Sequence, residues 1–456
     1  MFFIKFLWFF IKEFYMIRKL VKLNFSRVRI LFLSLFILSA FSIYSTDSPL
    51  VHPAEFERVA SVMIAAPLNI PFNLIVEMSK TVKVIVIANS ENRVELLNKR
   101  LTGAGANMSN IEYLREPTDK YWTRDYGPWL VFNKDNISSR VVNYIYNRSR
   151  PLDDKIAEAY AKLHKLSFVK IPVAHTGGNY MTDGYGIAIS TTLTLKENPH
   201  LKLEEIESLF AKEMGIKKYH FVEDVNGDYI EHIDCWAKLL SPDTILIRSV
   251  PKTHKYYKQI EDAANYFKEQ TSSYGSKYKV VRIFTPSNEP YTNSLIVNNK
   301  VFVPLKKNPN DKAAIETYKK AMPGYEIFGY DNEKWYSTDA LHCRTKEIPD
   351  HELLYIEHSP VQIVKQDDTL EIPFKVIPFS KKPVKTEVTG VYWRNNPKAA
   401  WTFTKATLSQ DGNFVATLPK DKSKTVDYYI YTEDESGRKE SKPFIGAAWP
   451  ITVSVK

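Results

Sequence analysis

The chain has 456 residues, 44% hydrophobic and 25% charged, enough for two or three domains of ordinary globular composition. Its net charge of +10 is uneven: residues 1–45 hold seven Lys/Arg against Glu13 alone, which is +6 and leaves +4 for the rest. No other basic run of the kind that grips phosphates occurs, which argues against nucleic acid as a partner.

The N-terminal "RVRILFLSLFILSAFSIYS" runs from basic residues through an apolar stretch, Ile30 to Leu38, to small residues near Ser42. That order predicts a secretory signal over residues 1–45, cleaved near 42–45, with translation starting at Met1 or Met16. The second apolar block, "MFFIKFLWFF", keeps an uncleaved anchor as the competing reading, although both blocks fall short of the ~20 residues of a spanning helix. The expected location is therefore secreted, periplasmic or cell-surface, with no membrane association after cleavage.

Next come alternating strand-like and helix-like segments. "KVIVIAN" (83–89) precedes a helical pattern in "NRVELLNKRLTGAG". Helical spacing marks 152–166, 201–215, 254–273 and 311–322, and strands are predicted at "GIAIS", "AKLL", "TILIRS" and "SLIVNNKVFVPL". About five such units fill the catalytic-sized region 46–358. After a linker, "KEIPDHELLYIEHSP", the pattern changes to short strands with Asp411-Gly412 and Ser436-Gly437 turns. Residues 359–456 thus predict a small β-sandwich of immunoglobulin type.

The chemistry lies in six short stretches. "EHIDCWAKLL" sets His232 and Asp234 two apart, on one face if the run is a strand, with Cys235 on the other. Such a pair can supply an acid/base and a charge-binding group, or half a metal site. "YWTRDYGPW" crowds Trp122 and other aromatics around Asp125, a carboxylate suited to a planar cation. "HTGGNY" and "PYTNSL", the latter with Asn293, are weak signals alone. Cys343 in "ALHCRT" is a thiol in a polar setting, unusual in an exported chain unless it is used or paired with Cys235. Arg148 and Arg150 in "YNRSRPLDD", two apart and on one face if the run is a strand, suit a carboxylate ligand.

Taken in order, "TRDYGPW", "HTGGNY", "HID", "TNSL" and "ALHCRT" resemble the guanidine-modifying (pentein) superfamily over roughly residues 50–350. The nearer likeness is to the agmatine deiminase and bacterial, Porphyromonas-type peptidylarginine deiminase branch. The resemblance implies a five-bladed α/β propeller carrying the site at its centre, followed by the sandwich. It implies Cys343 as nucleophile, His232 as acid/base, Asp125 and Asp234 as guanidinium ligands, Asn293 in the site and Trp122 along the substrate's stem. Arg148 and Arg150 would hold the carboxylate of a C-terminal arginine, Ser149 being the spacer, so the expected substrates are peptides or proteins ending in arginine. No cofactor, metal or calcium is implied, an ion near Asp183 being left open, and a monomer is expected. A small-guanidine (agmatine) deiminase is the alternative, and a non-catalytic surface-binding protein is the reading from another class.

Overall fold

The computed structural model describes residues 48–365, 369–419 and 424–455, so the predicted signal segment lies outside the described residues. Among those described, no helix is long and apolar enough to cross a membrane.

Up to Pro349 the described chain builds five small sheets on a common plan. Two strands pair antiparallel, and the second pairs in parallel with a strand reached through a helix. Trp129–Asn133, Ser138–Tyr146 and Ser167–His175 follow it, as do Met181–Thr182, Ile187–Thr191 and Lys218–Val222. Ala237–Ser241, Thr244–Ser249 and Lys279–Phe284 repeat it, then Leu295–Val297, Lys300–Leu305 and Glu326–Asp331. The fifth sheet draws on both ends of the region. Lys346–Pro349 pairs antiparallel with Val59–Ala65, which pairs in parallel with Lys83–Ile87.

The connecting helices are amphipathic for the reason their spacing predicts. In Leu203–Met214 the residues Ile206, Phe210 and Met214 recur every four positions and are buried along one side. The helix stops at Gly215, whose φ of +73° is left-handed. A side chain there would also place its Cβ 2.6 Å from the Leu50 carbonyl oxygen. The segment 152–166 begins later than its periodicity predicts, with a 3-10 turn at Asp153–Lys155 before the helix Ile156–Leu163. Asp153 Oδ1 accepts the Asp119 and Lys120 N–H groups at 2.8 and 3.2 Å, which ties this turn to a neighbouring loop.

The stretch expected as a linker is instead two strands. Lys346–Pro349 completes the fifth sheet, and Leu354–Glu357 pairs with Leu370–Pro378 in the C-terminal part. Its charged side chains suggest a surface segment, but Lys346 and Glu347 are buried as an ion pair, Nζ to Oε1 2.7 Å. Beyond it, two all-β sheets enclose Ile372, Phe374, Val391, Phe414, Tyr428 and Val453. Leu370–Pro378 alternates buried and exposed residues as a one-face-buried strand must. Buried and half-buried ion pairs fasten these sheets to the rest: Lys442 to Glu57 at 2.5 Å, Arg58 to Glu440 at 2.6 Å and Arg438 to Asp350 at 2.8 Å. Residues 49–456 accordingly form one compact unit.

The five sheets place the chemistry. Asp125 lies just before Trp129–Asn133, Gly178 before Met181–Thr182, and His232 and Asp234 before Ala237–Ser241. Asn293 precedes Leu295–Val297, and Cys343 precedes Lys346–Pro349. Each sheet thus delivers its polar residues on the segment entering its first strand.

Candidate active site

Cys343 sits in the 3-10 turn His342–Arg344 and is buried, not in the open polar setting its neighbours suggest. Cys235 is buried too, and both are free thiols, so no disulfide joins them. Asn293 Nδ2 is 3.3 Å from Cys343 Sγ, and Asn293 Oδ1 accepts the Cys343 backbone N–H at 3.3 Å. Asp234 Oδ2 lies 3.9 Å from the same sulfur. His232 and Asp234 do not share a strand face as expected. His232 is extended backbone leading into a 3-10 turn at Ile233–Cys235, because the inner strand begins only at Ala237. The turn still buries both side chains in the site.

On the other side, His232 Nδ1 faces Asp125 Oδ1 at 3.9 Å. Asp125 also accepts from the Gly178 N–H at 3.2 Å and the Tyr146 hydroxyl at 3.4 Å. Gly178 permits this close approach: a Cβ there would stand 2.6 Å from His232 Nδ1 and 2.9 Å from Asp125 Oδ1. Neither ring nitrogen of His232 has a hydrogen-bond partner among the described residues. A buried imidazole without partners is free to exchange protons with a molecule entering the site.

Electrostatics link the two halves. Burial pushes the Cys343 thiol well above its ordinary range, and the negative charges of Asp234, Asp339 and Asp125 push it further. The protein's own groups therefore do not poise the thiol as a thiolate; a cation between the carboxylates is what would lower it. Burial raises Asp125 as well, only partly offset by His232. Asp234 behaves differently. Burial again favours its neutral form, but the His342 hydrogen bond and the charges of His342, His232 and Arg124 hold it below the usual carboxylate range.

His342 and its supports carry no recognisable signal beyond adjacency to Cys343. Its Nδ1 is 2.7 Å from Asp234 Oδ2 and its Nε2 is 2.9 Å from Glu55 Oε2. Glu55 is braced in turn by Lys238 Nζ at 2.8 Å and the Ile296 N–H at 2.8 Å. Glu55, His342 and Glu347 bring ligand-type atoms within 4.8 Å of one another. Lys238 on Glu55, and Arg124 and Lys346 on Glu347, already neutralise them, so the set fits an ion-pair cluster better than a cation site. Both carboxylate oxygens of Asp183, where an ion was left open, are filled by the Tyr185 and Ile187 N–H groups and the Ser273 hydroxyl.

Arg148 and Arg150 do not share a strand face either. They flank a tight turn at Ser149, where the Arg150 N–H donates to the Arg148 carbonyl at 2.7 Å. Arg150 bends over Trp122, its guanidinium carbon 4.5 Å from the ring centre, and donates to the Tyr146 hydroxyl at 2.7 Å. Because Tyr146 also reaches Asp125, the arginine loop is tied directly to the carboxylate end of the site. The charge of Arg148 acts on Glu197, whose carboxylate accepts two bonds from Asn147. A separate cleft of about 520 Å³ lies where the C-terminal sheets meet the rest, but its Lys279, Arg394 and Lys442 are paired with Asp243, Asp427 and Glu57.

A buried thiol, two carboxylates and an imidazole without a hydrogen-bond partner among the described residues, set at the strand entrances of five small sheets, suit a pentein-type, guanidine-hydrolysing deiminase. The chain belongs to the Porphyromonas-type peptidyl-arginine deiminase family, whose model matches residues 51–349. A solved structure from Porphyromonas gingivalis, provisionally named an arginine deiminase, superposes with a TM-score of 0.59 at 18% identity, covering 66% of this chain and 99% of that one. The agmatine deiminase of Enterococcus faecalis also gives 0.59, at 20% identity over 68% and 99%. At these identities the likeness establishes the fold. A Vibrio parahaemolyticus protein provisionally named an agmatine deiminase is 23% identical over 356 residues, 65% of this chain and 96% of its own length. The chemistry of this family proceeds at a catalytic cysteine and draws on no cofactor.

Proposed function

We propose that this protein is an exported deiminase converting the C-terminal arginine of peptides to citrulline. The observation that carries the substrate class is the cationic loop of Arg148 and Arg150, tied through Tyr146 to Asp125. Agmatine has no carboxylate, so such a loop would do nothing for it. On this reading the five sheets form the blades of a propeller around the site, and the C-terminal pair is an immunoglobulin-like sandwich on a monomeric, secreted, periplasmic or surface-exposed enzyme.

Asp125 and Asp234 hold the guanidinium nitrogens and fix its carbon in front of Cys343. The bound cation favours the thiolate, the thiol proton passes to His232, and sulfur adds to the carbon to give a tetrahedral adduct. The C–N bond to one terminal nitrogen breaks as His232 hands that proton to it, and ammonia leaves. Water then attacks the remaining S-alkylthiouronium, His232 takes its proton, and the thiolate departs from the ureido product. Asn293 orients the sulfur, and Trp122 lines the aliphatic stem once Arg150 lifts toward the substrate carboxylate.

Product release from a peptide ending in arginine, the same peptide amidated, free arginine and agmatine tests this, with Cys343→Ala as control. Fast turnover that needs the free terminal carboxylate is the expected result. A preference for agmatine would transfer the enzyme to the small-guanidine reading, which the provisionally named relatives favour. Silence on all four substrates would point to a binding protein.

A further inference from the structure

His342 is held from both sides. Its two ring nitrogens each face a carboxylate oxygen, Asp234 Oδ2 at 2.7 Å and Glu55 Oε2 at 2.9 Å. An ionised carboxylate only accepts, so both contacts are hydrogen bonds only if both nitrogens carry hydrogen. The ring is buried, and its backbone is fixed by the His342 N–H donating to the Asn293 carbonyl at 3.1 Å. Glu55 is fixed independently by Lys238 and the Ile296 N–H. The Asp234 oxygen that His342 grips is also the one facing the Cys343 sulfur.

We propose that His342 is a positioning residue: an imidazolium, braced by Glu55, that locks the Asp234 carboxylate in the orientation that receives the substrate guanidinium. It touches neither substrate nor sulfur and acts through Asp234. Such a brace matters because a displacement of about 1 Å at a reacting group can cost on the order of 100-fold in rate. The same contact favours the anionic form of Asp234, a charge deep in the fold. The inference rests on the deiminase reading for its kinetics, but not for its structural claim.

The test separates the two. The amide nitrogen of Asn overlays the Nδ1 of histidine, and that of Gln overlays Nε2. His342→Asn therefore keeps the donor to Asp234, while His342→Gln keeps only the donor to Glu55. His342→Gln is expected to lower kcat/KM about 100-fold, largely through KM, and His342→Asn to recover at least a tenth of the wild-type value. Glu55→Gln, which leaves His342 in place, is expected to lose about 10-fold and covers the case in which a His342 variant fails to fold. Nitrogen-15 spectra of the wild-type protein should show N–H on both His342 nitrogens at neutral pH. A single-N–H tautomer, or equal kinetics for the Asn and Gln variants in a folded protein, would overturn the proposal. Wild-type inactivity on every guanidine would instead sink the deiminase reading and leave the spectrum as the deciding observation.

Discussion

Asn293 holds Cys343 at two points, its Oδ1 on the backbone N–H and its Nδ2 3.3 Å from the sulfur. The nucleophile and its partner come from different sheets, so the amide fixes the sulfur across a seam of the fold. Asn293→Asp keeps the shape but adds a negative charge beside a thiol that burial and three carboxylates already keep neutral. A loss of about 100-fold in kcat/KM is expected, with Cys235 alkylation unchanged by peptide mapping. Wild-type turnover in this variant would remove Asn293 from the machinery.

Alkylation of the empty enzyme should report the same electrostatics. Because the Cys343 thiol is raised, its rate of reaction with iodoacetamide is expected to keep increasing through pH 9. A plateau near pH 7 would reveal a thiolate formed without substrate and contradict the field described for the site.

Arg150 offers a cleaner separation of substrate ends. Arg150→Gln removes one charged donor to a terminal carboxylate, typically about 1.5–3 kcal/mol, or roughly 10- to 100-fold. The KM for a peptide with a free terminal arginine should rise by that factor, and that for the amidated peptide should not move. Equal effects on both peptides would show that Arg150 serves the fold alone.

Gly178→Ala tests the packing at the opposite carboxylate. The added Cβ would meet His232 Nδ1 at 2.6 Å and Asp125 Oδ1 at 2.9 Å. Displacing these two groups should cost about 100-fold in kcat. Full activity would mean the pair is not used in the geometry found.

Acid stability has a specific source beside the C-terminal sheets. Burial, helped by the charge of Lys442, pushes His358 down to about 4, while Pro373 and Tyr428 satisfy its two nitrogens. The unfolded chain takes up a proton below about 6.5 and the folded one only near 4. Stability is therefore whole above pH 6.5 and falls between 6.5 and 4, by up to about 3 kcal/mol from this residue. Urea midpoints at pH 7 and 4.5 should diverge less in His358→Gln than in the wild type; an unchanged difference would place the sensitivity elsewhere.

Much of this was legible in the sequence, for identifiable reasons. The helix Leu203–Met214 follows directly from its period of four, and the C-terminal change to short strands from its turn signals. The motif order gave the site residues that the fold brings together: Asp125, His232, Asp234, Asn293 and Cys343. What period-two reasoning got wrong was local backbone, since a 3-10 turn follows His232 and a tight turn separates Arg148 from Arg150. Glu55 was invisible because it meets His342 from 287 positions earlier, in a stretch with no motif. Lys346 and Glu347 read as surface because charge in a sequence does not announce its own partner.

The antiparallel pairing of Lys346–Pro349 with Val59–Ala65 bears on how the protein comes into being. The strand that completes the fifth sheet begins three residues after Cys343, so docking it delivers the nucleophile in the same motion. A chain cut short before Cys343 has no nucleophile, and one cut short before Pro349 lacks part of the strand that seats it. The reactive centre arrives as a property of closure.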